Sequence, residues 1–232
     1  MPRVLLLYLP LNPRLLFEAH YFLVGFFLPI RFCKEHRMLE QLILDMYDVG
    51  MIKFGEFTLK SGKSSYVYAD IRTAISYPQI FTTLCDLIYA KMDGLNYDSI
   101  CGVPYSALTF ASGIAYAHKI PMLLKRKEAK EYGTKKILEG VYAEGDTCLI
   151  IEDVVTTGMS IGETTLVLEQ FGIKVKDIVC FINRNQGGRE SLTAQGYQLH
   201  SIIDLYQVLE ILFKHSKISA DDKARAEALI GA

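Results

Sequence analysis

This chain has no surplus of charge of either sign. Its 25 Lys and Arg stand against 26 Asp and Glu, a formal net charge of −1. That excludes a broad electrostatic pull toward nucleic acid or anionic lipid, so any basic function must be local. Paired cysteines are also lacking. Cys33, Cys85, Cys101, Cys148 and Cys180 form no C-x-x-C pair and no Cys/His spacing suited to zinc. Cys101, Cys148 and Cys180 lie inside apolar runs, where a free thiol behaves as a small hydrophobe. This argues against a disulfide scaffold and for a reducing, cytoplasmic setting. Membrane-length runs are missing as well. VLLLYLPL has 8 residues and YFLVGFFLPI has 10, short of the ~17–25 that a spanning helix needs. Pro10, Pro13, Arg14, Glu18 and His20 stand between the two runs, and Pro29 breaks the second. No A-x-A-like cleavage site follows them. There is no G-x-x-x-x-G-K-[ST], which disfavours a P-loop nucleotidase, and no internal repeat or low-complexity linker.

What is present is an ordinary globular composition, 50% hydrophobic and 22% charged over 232 residues. That is enough for one well-cored domain with trimmings or barely two small ones. Residues 1–37 do not match the remainder. They are expected to lie outside the enzyme, with Met38 as its start; a peripheral or membrane-associating extension is the alternative. From Met38 onward the chain alternates in a βα rhythm. Leu39, Leu42, Ile43, Met46 and Tyr47 share a helical face that Gly50 closes. EFTL and SSYVYAD predict a strand pair about the turn KSGK. A helix is predicted from Pro78 to about Lys91. Apolar strands are predicted at 99–103, 121–125, 147–152, 176–183 and 197–203. Helices are predicted between them at 106–118, 160–171, about 188–195 and 204–214. Ser219 is a candidate N-cap for a closing amphipathic helix. The fold class is therefore α/β, a mostly parallel sheet flanked by helices. Ligands in such sheets sit outside the carboxyl ends of the strands.

CLIIEDVVTTGMS, Cys148 to Ser160, is the most informative stretch. An apolar strand ends in two acids, Glu152 and Asp153, then turns through Thr156-Thr157-Gly158 into a helix. Backbone N–H groups and hydroxyls at a helix N-terminus form a ready anion site, and Gly158 removes the Cβ that would block close approach. Acids beside an anion site suggest a sugar phosphate whose hydroxyls they bind. The bland alternative is a strand end whose acids cap the next helix.

These residues resemble the motif for 5-phosphoribosyl-1-pyrophosphate (PRPP) in type I phosphoribosyltransferases. The resemblance implies that fold, with a small hood formed by roughly residues 38–75 plus C-terminal elements, and a single domain over 38–232. It also implies PRPP contacts from Glu152, Asp153, Val154, Val155, Thr156, Thr157, Gly158, Met159 and Ser160. Three further stretches are similar to orotate phosphoribosyltransferases. In FGEFTLKSGKSSYVYAD the resemblance implies that Lys60, Tyr68 and Ala69 meet orotate, together with Thr156. In ICGVPYSALTFASGIAYA it implies PRPP contacts from Tyr105 and Ser106, the latter where many bacterial relatives carry Lys. KRKEAKEYGTKK has six basic residues in twelve and alone reads as a charged loop. After PMLL it resembles the family's mobile catalytic loop, with Arg126, Lys127 and Lys130 on pyrophosphate. Tyr132, also expected at PRPP, stands where many bacterial enzymes have His. A fourth fragment, INRNQGGRE, carries Arg184 where the family has an arginine for the anionic base. With Ser106 and Tyr132, the pattern is most like the transferase half of bifunctional UMP synthases.

The resemblance implies transfer of 5-phosphoribosyl from PRPP to N1 of orotate, giving orotidine 5-phosphate and pyrophosphate in de novo UMP biosynthesis. Lys127, Arg126, Lys130 and Asp153 are the expected catalytic residues. Mg²⁺ is the expected cofactor, held mainly through PRPP rather than by protein ligands. A homodimer with shared active sites is the expected assembly, with no nucleic-acid or membrane partner. A transferase for a purine or another pyrimidine, and a non-catalytic PRPP sensor, stay open at this point.

Overall fold

The computed structural model describes residues 36–58, 62, 64–127 and 137–230. Contacts divide the chain into Met1–Leu39 and Glu40–Ala232. Of the first unit only 36–39 are described, as the opening turn of a helix, so the expectation for 1–37 lies almost wholly outside the described residues. The second unit carries every described strand and, apart from that opening turn, every described helix.

In chain order the described elements are α1 (36–48), β1 (Ile52–Thr58), β2 (Ser64–Ala69), a 3-10 helix (Ile71–Ser76), α2 (Pro78–Lys91), β3 (Ser99–Gly102), α3 (Ser106–His118), β4 (Met122–Lys125), β5 (Leu138–Glu139), β6 (Thr147–Val155), α4 (Met159–Gln170), β7 (Lys174–Asn183), α5 (Gly188–Ala194), β8 (Gln198–Asp204), α6 (Leu205–Lys214) and α7 (Ala220–Ala228). Six strands form one sheet in the order β5-β4-β3-β6-β7-β8. All its pairings are parallel except the short edge pair β4–β5. The two central strands explain why. Cys148–Glu152 of β6 and Asp177–Asn183 of β7 are buried without a break, which requires helices on both faces. Leu84 and Ile88 of α2 and Ile114 of α3 are fully buried, each contributing about 1.5–3 kcal/mol. Phe81 of α2 stacks on Phe110 of α3 with ring centroids 5.3 Å apart.

The strand order locates the crevice. β3 runs through α3 to β4 on one side, and β6 runs through α4 to β7 on the other. The switch point lies between β3 and β6, where ligands enter open α/β sheets. Gly102, the last residue of β3, pairs with Ile151, yet β6 continues beside β7 as far as Val155 opposite Asn183. The turn after β6 therefore stands beyond the turn after β3. This corrects the strand expected to end at Glu152. Val154 and Val155 are β-branched and pair with β7, which carries the ladder past the acids.

β1 and β2 form a separate antiparallel hairpin, with Phe54 opposite Val67 and a bulge between Phe54 and Phe57. β1 begins at Ile52, four residues before the expected strand, and neither the 3-10 helix nor β5 was foreseen. Helix α7 packs on the hairpin: the Tyr66 hydroxyl donates to Asp222 Oδ1 at 3.0 Å, and Arg225 lies 5.6 Å from the Tyr66 ring centre. Ser219 caps α7, reciprocally with Asp222, as its position predicts. Cys85, Cys101, Cys148 and Cys180 are free and buried. Burial pushes the first two thiols up to about 12 and about 11, so they stay protonated and inert. Among the described residues no helix is long and apolar enough to cross a membrane.

Candidate active site

At the carboxyl end of β6 the chain turns through Thr156 and Thr157 and enters α4 from Gly158, whose φ is +80°. A Cβ on Gly158 would meet Leu192 Cγ at 3.1 Å. From the other side α5 begins at Gly188, where a Cβ would lie 2.6 Å from Val155 Cγ1 and 2.7 Å from the Thr156 carbonyl oxygen. Nothing larger than hydrogen fits there, so the start of α5 presses directly on the turn. Gly158 has no side chain to cap the N-terminus of α4, which suits its first N–H groups to an anion.

The turn forms one wall of a cleft of about 240 Å³, lined by Tyr68, Ala69, Glu152, Val154, Val155, Thr156, Thr157, Gly158, Met159, Ser160, Ile161 and Arg184. All but Ile161 were expected from the sequence. The end of β6, the turn after it, the start of α4, the end of β2 and the loop after β7 supply these residues. Arg184 joins them because its own N–H donates to the Val155 carbonyl at 2.9 Å.

Arg184 has an unusual environment. Its side chain is 3% exposed, and its hydrogen-bond partners are neutral. Nη2 donates to Ser65 Oγ at 2.6 Å and to the Val67 carbonyl at 3.1 Å, and Nε donates to Gln186 Oε1 at 3.0 Å. No carboxylate is hydrogen-bonded to it among the described residues, and Nη1 makes no described bond. Burial pushes its pKa down to about 10, so it remains a cation at neutral pH. A buried cation in a cleft, with no acid hydrogen-bonded to it among the described residues, is suited to receive an anion.

Glu152 is buried, and its Oε1 accepts the Asp153 N–H at 3.0 Å. Asp153 is half-buried and does not line the cleft. Near it stands Arg72, which the sequence reading missed. Arg72 donates to Asp70 (2.7 and 3.0 Å) and to the Tyr68 hydroxyl (2.8 Å). Its pKa is raised above the usual arginine value, first by the hydrogen bond to Asp70, then by the charges of Asp70, Tyr68 and, last, Asp153. Ser65 and Gln186 were missed too. The alternation of SSYVYAD marks Ser65 and Val67 as sharing a face, but nothing in it gives their partner.

Across the switch point, Tyr105 is exposed and Ser106 opens α3 with its hydroxyl buried and, among the described residues, unbonded. Lys127 is exposed, its Nζ 5.6 Å from the centre of the Tyr105 ring. Arg126 is tied to Glu139 of β5 at 3.1 Å. None of these four lines the cleft. Lys60, Lys130 and Tyr132 lie outside the described residues.

Comparison with known proteins agrees with this geometry. The phosphoribosyl transferase domain family matches residues 77–201, more than half of the 232. Uridine 5'-monophosphate synthase of Bos taurus is 47% identical over 195 residues, covering 83% of this chain and 41% of that protein. The chain thus spans less than half of that relative's length. Orotate phosphoribosyltransferase of Chlamydia caviae is 35% identical over 199 residues, covering 85% of this chain and 97% of that protein. Among solved structures, UMP synthase of Leishmania donovani superposes with a TM-score of 0.77 at 33% identity, covering 82% of this chain and 42% of that one. A family match over more than half of the chain, and a nearly full-length relative at better than one-third identity, leave a single assignment: the chain belongs to the orotate phosphoribosyltransferases within the phosphoribosyltransferase family, enzymes of the glycosyltransferase type.

Proposed function

We propose that this chain transfers 5-phosphoribosyl from PRPP to N1 of orotate, giving orotidine 5-phosphate and pyrophosphate in pyrimidine biosynthesis in the cytoplasm. The observation that carries the reading is Arg184, a buried cation with neutral partners in the same cleft as the Thr-Thr-Gly turn. A phosphate on the turn and a carboxylate on Arg184 match the two anionic ends of the orotidine 5-phosphate product.

In this reading Thr156 to Ser160 hold the 5-phosphate through backbone N–H groups and hydroxyls, with Val154 and Val155 as the wall beneath. Glu152 and Asp153 hold the ribose hydroxyls, and Asp153 faces the positive charge that develops at C1. Tyr105 and Ser106 meet the pyrophosphate end, which suits a buried hydroxyl with no partner among the described residues. Orotate lies against Tyr68, Ala69 and Thr156, with its carboxylate on Arg184 and Lys60. The C1–oxygen bond breaks with its electron pair going to pyrophosphate, while the N1–C1 bond forms and the N1 proton passes to solvent. Arg126, Lys127 and Lys130 stabilise the leaving charge. A loop that closes over the substrates also keeps water from an oxocarbenium-like centre.

Mg²⁺ belongs to this reading. Among the described residues no group of three or more His, Cys, Asp or Glu side chains gathers as a metal cage. In this reading Mg²⁺ is held mainly by PRPP oxygens and water. When bound it would supply positive charge beside the pyrophosphate. A hood of roughly residues 38–75 with the C-terminal elements covers the base, and two copies complete each other's sites through the basic loop.

The test is the loss of orotate ultraviolet absorbance when the protein meets PRPP and Mg²⁺. Adenine, guanine, hypoxanthine and uracil are assayed alongside by pyrophosphate release. Turnover with orotate alone is expected. Turnover with a different base, or PRPP binding without any turnover, would overturn the assignment.

A further inference from the structure

We infer that Gln186 is the positioning residue for Arg184, and that through it the C-terminal helix α7 is part of the anion pocket. The inference rests on the reading of that cleft as the orotate site.

Gln186 is 7% exposed and does not line the cleft. Both ends of its amide are engaged. Oε1 accepts from Arg184 Nε at 3.0 Å, and Nε2 donates to the Leu229 carbonyl at 3.1 Å. Leu229 is the C-cap of α7, where helix carbonyls lack intrahelical partners. The two contacts fix the amide's orientation. Flipped, it would set NH₂ against a guanidinium and oxygen against a carbonyl. Only a side chain with one acceptor and one donor at this reach satisfies both neighbours. Met offers neither, and an ionised Glu lacks the donor.

The consequence falls on Arg184. With Nε held by Gln186 and Nη2 by Ser65 and Val67, the guanidinium plane is set, and Nη1 remains for the carboxylate. Three segments share that duty: β2, the loop after β7, and the end of α7. The first and last lie outside residues 77–201, where the family match ends. The family match stops short of α7; recognition of an anionic base in this chain, on this inference, draws on it.

The experiment compares wild type, Gln186→Met and Gln186→Glu by orotate KM, PRPP KM, kcat and melting temperature. Gln186→Met is expected to raise orotate KM roughly 10-fold, with PRPP KM and kcat within about twofold, as for one lost hydrogen bond to a charged group. Gln186→Glu is expected to raise it further at neutral pH by placing an anion on Arg184. That KM should recover as pH falls, because the protonated carboxyl regains a donor for Leu229. A purely structural residue would lower the melting temperature and show no such recovery. Equal rises in both KM values, or an unchanged orotate KM, would overturn the inference while leaving the function in place. If Gln186→Met does not fold, Gln186→Glu decides the matter by its pH profile. Wild-type protein that turns over no orotate overturns the functional reading and this inference with it.

Discussion

The cleft has two walls built on different principles. The wall from β6, α4 and α5 is a backbone structure. Its Thr-Thr-Gly turn is fixed by a left-handed glycine, by a second glycine pressed against Val155 and Thr156, and by strand pairing out to Asn183. The wall from β2, the Arg184 loop and α7 is a side-chain structure. It is a chain of hydrogen bonds from Ser65 and Val67 through Arg184 and Gln186 to Leu229. The backbone wall can present N–H groups to a phosphate whatever the base. The side-chain wall can be re-specified one residue at a time. On the proposed reading, general chemistry and base choice are thus written in different parts of the molecule.

Three substitutions probe that contrast, and a fourth serves as a remote control. Lys127→Ala is expected to cut turnover roughly 100- to 1,000-fold through lost charge on the leaving group. Its melting temperature should be unchanged, because Lys127 is exposed; steady-state kinetics with thermal melting checks both. Arg184→Gln should spare PRPP binding and raise orotate KM roughly 10- to 100-fold, the scale of a lost charge-assisted hydrogen bond. If PRPP KM rises equally, the two walls are not separate. Gly188→Ala strikes the backbone wall. Its Cβ would lie 2.6 Å from Val155 Cγ1, so about 1–3 kcal/mol of stability and about 3–10 °C in melting temperature should be lost. PRPP affinity should fall alongside.

Glu40→Gln, remote from both walls, should have the smallest effect. Glu40 Oε1 accepts from Lys214 at 2.6 Å and His215 at 2.7 Å, and these hydrogen bonds, Lys214 first, hold its pKa down at about 2 against the ordinary 4.5. A depressed carboxylate contributes stability that is full above pH 4.5 and lost as pH falls toward 2. Glu40→Gln should therefore lower the melting temperature by about 1–3 °C at pH 7 and flatten its fall between pH 5 and 2.

Much of the backbone wall was legible in the sequence. Strand, acids, Thr-Thr-Gly and helix occur within thirteen consecutive residues, and local order is what propensity and turn chemistry encode. The error was in where β6 stops. Glu152 and Asp153 look like a strand end, but the β7 ladder holds Val154 and Val155 in the sheet. The side-chain wall was legible only in part. Arg184 was found by resemblance, whereas Ser65 lies 119 positions away and Leu229 is 43 from Gln186. Pairings at that range depend on how the hairpin and α7 dock, and no periodicity states it. Arg72 was missed for a related reason: an arginine after a strand looks solvated until Asp70 and Tyr68 are seen beside it.

The buried guanidinium also has a thermodynamic consequence. Burial alone takes Arg184 down to about 10, so folding holds this proton less firmly than water would. An anion seated on Nη1 would restore that hold, and proton affinity and ligand affinity are then one linked quantity. A carboxylate ligand should therefore bind most tightly below about pH 10, weaken as pH rises above it, and stiffen the fold as it binds, by about 2.7 kcal/mol at a hundredfold excess over Kd. Seen this way, the ligand is the counter-ion that the sequence left out.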